Sequence, residues 1–282
     1  MTETVDQSSS LVPESQSPTT NSVTYDFVIE QKGVEIVAVG TTCLVERLAD
    51  GNIIKSPYPS RHHDPAAELA TEARIYQLIG PHPLLVPVIS WDDSTHALTM
   101  EFMTNGTLKD YIGAHPDVSM AQRLLWGRQA AEGLQLVHAV GVVHYDVGPH
   151  NFLLDEQLTL KISDFGGSSV DGSRAEVCAG PRYAPADEAW CRGWKPSPVG
   201  DLFGLGSTLY YIATGNAPFH DMESGEVDKQ FAACVFPTVD DVLGGDVILK
   251  CWMGGFTSAR EVLSALTALS GNSPDGEGPT GT

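Results

Sequence analysis

Residues 144–166 constrain this chain more than any other stretch. They read His144-Tyr145-Asp146-Val147-Gly148-Pro149-His150-Asn151 and end on Asp164-Phe165-Gly166. Between them lies a hairpin pattern, Phe152-Leu153-Leu154 and Leu158-Thr159-Leu160-Lys161-Ile162 about Asp155-Glu156-Gln157. A hairpin returns the chain to its start, so Asp146, Asn151 and Asp164 are expected in one neighbourhood. Asp146 suits proton acceptance from a hydroxyl, while Asn151 and Asp164 offer the hard oxygen donors that Mg2+ prefers. Either short motif alone arises by chance; their order and the hairpin between them carry the meaning.

The flanking sequence predicts a β-rich part followed by a helical one. Strands are expected at Val34–Val39, Leu44–Leu48, Ile53–Lys55 and Ala97–Met103, with Asp50-Gly51 turning the second into the third and Asn105-Gly106 closing the last. A helix is expected from Asp64-Pro65 to Gly80-Pro81, with Leu69, Ala73 and Tyr76 on one face. Ser119 and Gln122 match a capping box, and Leu124, Ala131, Leu134 and His138 carry that helix towards Gly141. Two further helices are expected near Leu202–Ala213 and Arg260–Leu269. The Ser/Thr/Pro/Gln-rich residues 1–24 and the Gly/Pro/Ser-rich residues 271–282 bury too little apolar surface to fold, leaving 25–270 as the folded unit.

Composition removes several functions. Asp and Glu number 36 against 16 Lys and Arg, a net charge of −20, which argues against nucleic-acid and anionic-membrane partners. Any phosphate site must therefore be built locally. The five cysteines, Cys43, Cys178, Cys191, Cys234 and Cys251, are odd in number and lack CxxC spacing, so neither a disulfide framework nor a thiolate metal site is expected. Leu202–Phe219 is uncharged, yet Gly204, Gly206, Gly215, Asn216 and Pro218 make it a buried core helix rather than a membrane span. With no apolar run behind the polar N-terminus, a cytoplasmic location is expected.

The sequence resembles the eukaryotic protein kinase superfamily over about 25–270, and within it small, divergent fungal-type members. Residues 144–151 look like the catalytic loop H-R-D-x-K-x-x-N, and 164–166 match D-F-G. Asn52-Ile53-Ile54-Lys55 resembles the V-A-I-K strand, Ala184-Pro185-Ala186-Asp187-Glu188 a loosened A-P-E, and Asp201–Gly206 the D-x-W-S-x-G helix start. The resemblance implies a bilobal α+β fold: a small antiparallel-sheet N-lobe with one main helix, about 25–103, and a larger helical C-lobe, about 104–270.

It also implies roles. Lys55 would pair with ATP phosphates and with Glu72, for which Glu68 is a rival. Asp146 would orient and deprotonate the acceptor hydroxyl, and Asn151 and Asp164 would hold Mg2+. Gly40, Val45, Ile53, Met100, Glu101, Met103 and Leu153 would form the nucleotide pocket, with Glu101–Met103 supplying backbone hydrogen bonds. Asp201 would act as helix N-cap and brace the catalytic loop.

Departures accompany the match. Aligned on Val45, the Gly-rich loop keeps only Gly40, with Ala38 and Cys43 in the outer glycine positions. Tyr145 replaces the arginine that receives an activation-loop phosphate, so Ser168, Ser169 and Ser173 read as ordinary loop serines. Gly148 replaces a lysine, and His150 is placed to substitute for that cation when protonated. The expected activity is transfer of the γ-phosphoryl group of Mg-ATP to a hydroxyl of a protein substrate, Ser/Thr rather than Tyr, at a low rate. A pseudokinase acting as a nucleotide-binding or scaffolding module is the alternative. A small-molecule phosphotransferase ranks last.

Overall fold

Asp50-Gly51 makes the turn on which the N-terminal sheet is built. Asp50 Oδ1 accepts from the Asn52 amide at 3.0 Å, and Gly51 adopts φ 92°, a conformation open to glycine at little cost. The computed structural model describes residues 35–40, 42–58, 64–186 and 197–270, all within one compact unit, Val34–Thr282. Residues 1–24 and 271–282, with Asp187, Glu188 and Cys191, lie outside the described residues.

The sheet holds β1 (Glu35–Val39), β2 (Cys43–Arg47), β3 (Ile53–Pro57), β4 (Val88–Asp92) and β5 (Ala97–Met100) in the order β1-β2-β3-β5-β4. All its pairings are antiparallel, and the register sets Lys55 of β3 opposite Val45 on β2 and Leu98 on β5. The strand expected over Ala97–Met103 ends at Met100, because the Glu101 amide turns to the Pro87 carbonyl at 2.9 Å. Four of the five β4 residues are exposed, so this strand shows none of the in–out alternation that would have marked it.

One helix, α1 (Pro65–Ile79), covers the sheet. Asp64 caps it, accepting from the Ala67 amide at 3.1 Å, and Gly80 at φ 78° ends it by donating to the Tyr76 carbonyl. Its buried face is Leu69, Glu72, Ala73, Ile75 and Tyr76, so one carboxylate lies in an otherwise apolar stripe.

The helical lobe follows as α2 (Leu108–Ala114), α3 (Met120–Ala139), α4 (Pro198–Thr214), α5 (Ser224–Ala232), α6 (Gly245–Trp252) and α7 (Ala259–Ser270). Two short ladders, β6 (Val142–Val143) with β9 (Ser169–Val170) and β7 (Phe152–Leu154) with β8 (Leu160–Ile162), carry the motif-bearing loops between α3 and α4. The architecture is the expected bilobal α+β fold. In α3, Ser119 Oγ caps the Gln122 amide at 3.2 Å. Trp126, fully buried, donates Nε1–H to the Leu158 carbonyl at 2.8 Å and ties α3 to the β7–β8 turn. Buried Arg123 satisfies the Val118, Pro116 and Ile212 carbonyls, which join the start of α3 to the end of α4.

Helix α4 is apolar on nearly every side and lies in the core. Among the described residues no helix is long and apolar enough to cross a membrane. Its N-cap is Ser197; Asp201, expected in that place, lies one turn inside and has another use. A Cβ on Gly204 would stand 2.7 Å from the Val147 carbonyl oxygen and 2.9 Å from that of Tyr183. The absent side chain lets the 144–151 loop lie directly on α4.

Gly204→Ala is therefore expected to cost about 1–3 kcal/mol, since backbone must move to admit the methyl group. Gly225→Ala, in α5 with nothing within 4 Å of the added carbon, should be neutral or stabilising by up to about 1 kcal/mol. Equal denaturant midpoints for the two variants would refute the contact.

Candidate active site

The β3 register directs Lys55 towards the buried face of α1. Its Nζ lies 2.8 and 3.0 Å from the two Glu72 carboxylate oxygens and 3.5 Å from Asp164 Oδ1. Glu68, the rival partner, instead lies beside Gly166, where a Cβ would stand 3.5 Å from the Glu68 Cβ and carbonyl oxygen. Burial opposes charge on Lys55, but Glu72 and Asp164 outweigh it and hold the ammonium well above its ordinary pKa. Burial pushes Glu72 up against the pull of Lys55. Lys55 lowers Asp164, with burial opposing, and 56% of the Asp164 side chain remains open to solvent. The result is one fixed cation beside one ionised, accessible carboxylate.

The loop that presents Asp146 hangs from Asp201, whose side chain is fully buried. Asp201 Oδ1 accepts from the Tyr145 amide at 2.7 Å, and Oδ2 accepts from the His144 amide and from His138 Nε2, each at 2.8 Å. Tyr145 has φ 66°, which a bulky residue rarely adopts, and its carbonyl accepts from the Ala179 amide. His144 is buried, with Nε2–H donating to the Ser163 carbonyl at 3.0 Å and Nδ1 accepting from the Asp146 amide at 3.3 Å.

Asn151 sets the acceptor end. Its Nδ2 donates to the Asp146 carbonyl at 2.8 Å and to Asp146 Oδ2 at 2.9 Å. His150 Nε2 also lies 3.2 Å from Oδ2, so neither contact uses Oδ1. The imidazole rests over Gly148, where a Cβ would stand 2.5 Å from His150 Cε1. His150 and a side chain at position 148 therefore compete for one space.

The hairpin brings the ends of this site together. The Asn151 carbonyl accepts from the Ser163 amide at 3.0 Å and from Ser163 Oγ at 3.1 Å, one residue before Asp164. Phe165 is fully buried and packs edge-on between His144, at 5.4 Å, and Tyr76, at 5.1 Å. Asn151 and Asp164 suit a metal such as Mg2+, which takes one or two protein oxygens and fills its remaining positions with water and phosphate. Among the described residues no group of three His, Cys, Asp or Glu converges to cage an ion.

Val45 and Leu153 are half-buried and pack on the core that contains Ile53, Met100 and Met103. Glu101 is exposed, and the Met103 carbonyl accepts from the Gly106 amide at 3.1 Å. Gly40 donates to the Cys43 carbonyl at 2.8 Å, and a Cβ there would come within 3.3 Å of that oxygen. Ser168 and Ser169 are buried, their hydroxyls donating to the His144 and Ser173 carbonyls, and the Ser173 hydroxyl accepts from the Val170 amide. His138 was legible only as one residue of the α3 face, and Tyr76 only as part of the α1 stripe. The available clue to Tyr76 was its place one turn after Glu72.

Comparison with known proteins gives a consistent answer. The protein kinase domain family matches residues 49–242, more than half of the chain. A calcium and calcium/calmodulin-dependent serine/threonine-protein kinase of Oryza sativa subsp. japonica is 29% identical over 72% of this chain and 39% of its own length. A CBL-interacting serine/threonine-protein kinase 8 of Arabidopsis thaliana is 30% identical over 49% of this chain and 32% of its own. A probable serine/threonine-protein kinase of Dictyostelium discoideum, MARK-C, is 30% identical over 52% and 20%. The chain thus spans at most about two fifths of the length of these curated relatives.

Burial raises the Cys43 thiol from 9.0 to about 11. At pH 8 its alkylation by iodoacetamide should run about a hundredfold below that of an ordinary thiol, because the thiolate reacts. Mass-spectrometric rates equal to those of a free cysteine would contradict this environment.

Proposed function

The chain belongs to the protein kinase domain family, and from that premise we propose that it is a protein kinase passing the γ-phosphoryl group of Mg-ATP to a serine or threonine hydroxyl of a protein substrate. The observation that carries this reading is Lys55, held by Glu72 at 2.8 Å and facing Asp164 at 3.5 Å. Phosphoryl transfer needs alignment and charge neutralisation more than covalent chemistry.

Each residue has a task in that scheme. The Lys55 ammonium meets phosphate oxygens, and Glu72 keeps it from collapsing onto Asp164. Asn151 Oδ1 and the Asp164 carboxylate hold the divalent ion, which supplies the positive charge that transfer requires. Asp146 receives the proton of the acceptor hydroxyl, while Asn151 Nδ2 pins Oδ2 and leaves Oδ1 for the incoming group. Gly40, Val45, Ile53, Met100, Glu101, Met103 and Leu153 are assigned to the nucleotide's base and sugar. His150, beside Asp146, is assigned the acceptor-side cation that Gly148 does not supply. A second reading, a nucleotide-binding pseudokinase, draws support from the single glycine left in the β1–β2 turn and from Gly148.

Purified protein with Mg2+ and labelled ATP tests the two readings. Asp146→Asn should lower transfer by about 10²–10⁴-fold with little change in melting temperature. Lys55→Met should abolish transfer and cost about 3–5 kcal/mol, since Glu72 is left buried and unpaired. Adding Glu72→Gln should recover the stability and not the transfer. Nucleotide-induced stabilisation without transfer in the wild type would decide for the pseudokinase.

His150 is tested separately. His150→Gln, which removes the ring lying 3.2 Å from Asp146 Oδ2, should lower transfer with little change in melting temperature. Transfer equal to that of the wild type would remove histidine from the scheme.

A further inference from the structure

Helix α1 carries a buried acceptor short of donors and a buried donor short of an acceptor. Glu72 and Tyr76 stand one turn apart on its buried face, the spacing at which helical side chains become neighbours. A carboxylate has room for about four hydrogen bonds. Among the described residues that of Glu72 takes them from one group, the Lys55 ammonium, at 2.8 and 3.0 Å. The buried Tyr76 hydroxyl has no hydrogen-bond partner among the described residues, and a polar group left in that state costs free energy. The Tyr76 ring packs edge-on against Phe165 at 5.1 Å.

The charges that bear on this hydroxyl are those of the candidate site. Burial and then Glu72 push its pKa well above the ordinary phenol value, with Lys55 opposing and Asp164 adding, so it stays a proton donor. An ammonium has three N–H bonds, and Lys55 spends two on Glu72 and one on Asp164. To meet two phosphate oxygens it must withdraw two of these, at least one of them from Glu72. We infer that Tyr76 is a positioning residue whose hydroxyl donates to the Glu72 oxygen that Lys55 releases, an inference that rests on the phosphate role proposed for Lys55. The buried carboxylate then keeps two donors, and Lys55 stays tethered to it while turning to the nucleotide.

Melting temperatures and calorimetric titration with Mg-ADP, both on the full chain, test this. Tyr76→Phe, which keeps the ring against Phe165, should leave the melting temperature unchanged or raised, because the hydroxyl it removes is unpaired. In Lys55→Met, where Glu72 has lost its ammonium, the hydroxyl is engaged, and adding Tyr76→Phe should lower the melting temperature by about 3–6 °C. The single variant Tyr76→Phe should also bind Mg-ADP about three- to tenfold more weakly than the wild type, an arm that needs no Lys55 variant. An equal shift from Tyr76→Phe in the two backgrounds, or unchanged Mg-ADP affinity, would overturn the inference and leave the proposed function standing. A wild type that does not bind Mg-ADP would overturn both.

Discussion

The buried carboxylate of Asp201 is the constraint on which the candidate site depends. A carboxylate taken out of water is costly unless donors surround it, and Asp201 has three: His138, the His144 amide and the Tyr145 amide. Two of these belong to the loop that carries Asp146, so the hydrogen bonds that satisfy the aspartate also position that loop. They sustain Tyr145 at φ 66°, a conformation that a tyrosine would leave if its amide were released. Gly204 completes the arrangement by allowing the loop backbone to rest on α4. Removing the carboxylate would take the acceptor from three donors, the His144 amide among them buried, which makes this anchor structural as well as positional.

The second organising feature is a charge pattern that runs against the protein as a whole. A chain with net charge −20 repels phosphate at long range, so binding energy must come from a few groups acting at contact. In the proposed function Lys55 would supply this, from an environment where it is 12% exposed and paired to Glu72. Glu72 in turn belongs to the apolar stripe of α1, so the position of the ammonium is fixed by how α1 packs on the sheet. The stack of Tyr76, Phe165 and His144 links that helix to the loop of Asp146. The two halves of the site therefore share a wall of aromatic rings.

Much of this was legible in the sequence where the interactions are local. Asp64 and Ser119 cap amides three residues on, and the Asp50-Gly51 turn closes within five residues; chain geometry alone sets such contacts. The choice between Glu68 and Glu72 followed from the face of α1, which periodicity narrows to a register but does not decide. β4 was hidden by its exposed side chains, and α5 and α6, at nine and eight residues, were too short to show a sustained period. The strand expected to reach Met103 stopped at Met100 because a distant carbonyl, that of Pro87, captured the next amide.

The sequence by itself determined which residues make up the candidate site and in what order, because the motif from His144 to Gly166 folds back through its own hairpin. Tertiary structure alone decided what those residues touch. His138 and Asp201 are 63 positions apart and Lys55 and Asp164 are 109 apart, so their contacts depend on how helices and sheet pack. A hydrogen bond between near neighbours is fixed by bond lengths and torsions, whereas one across the fold exists only after the core has set the distance between its partners.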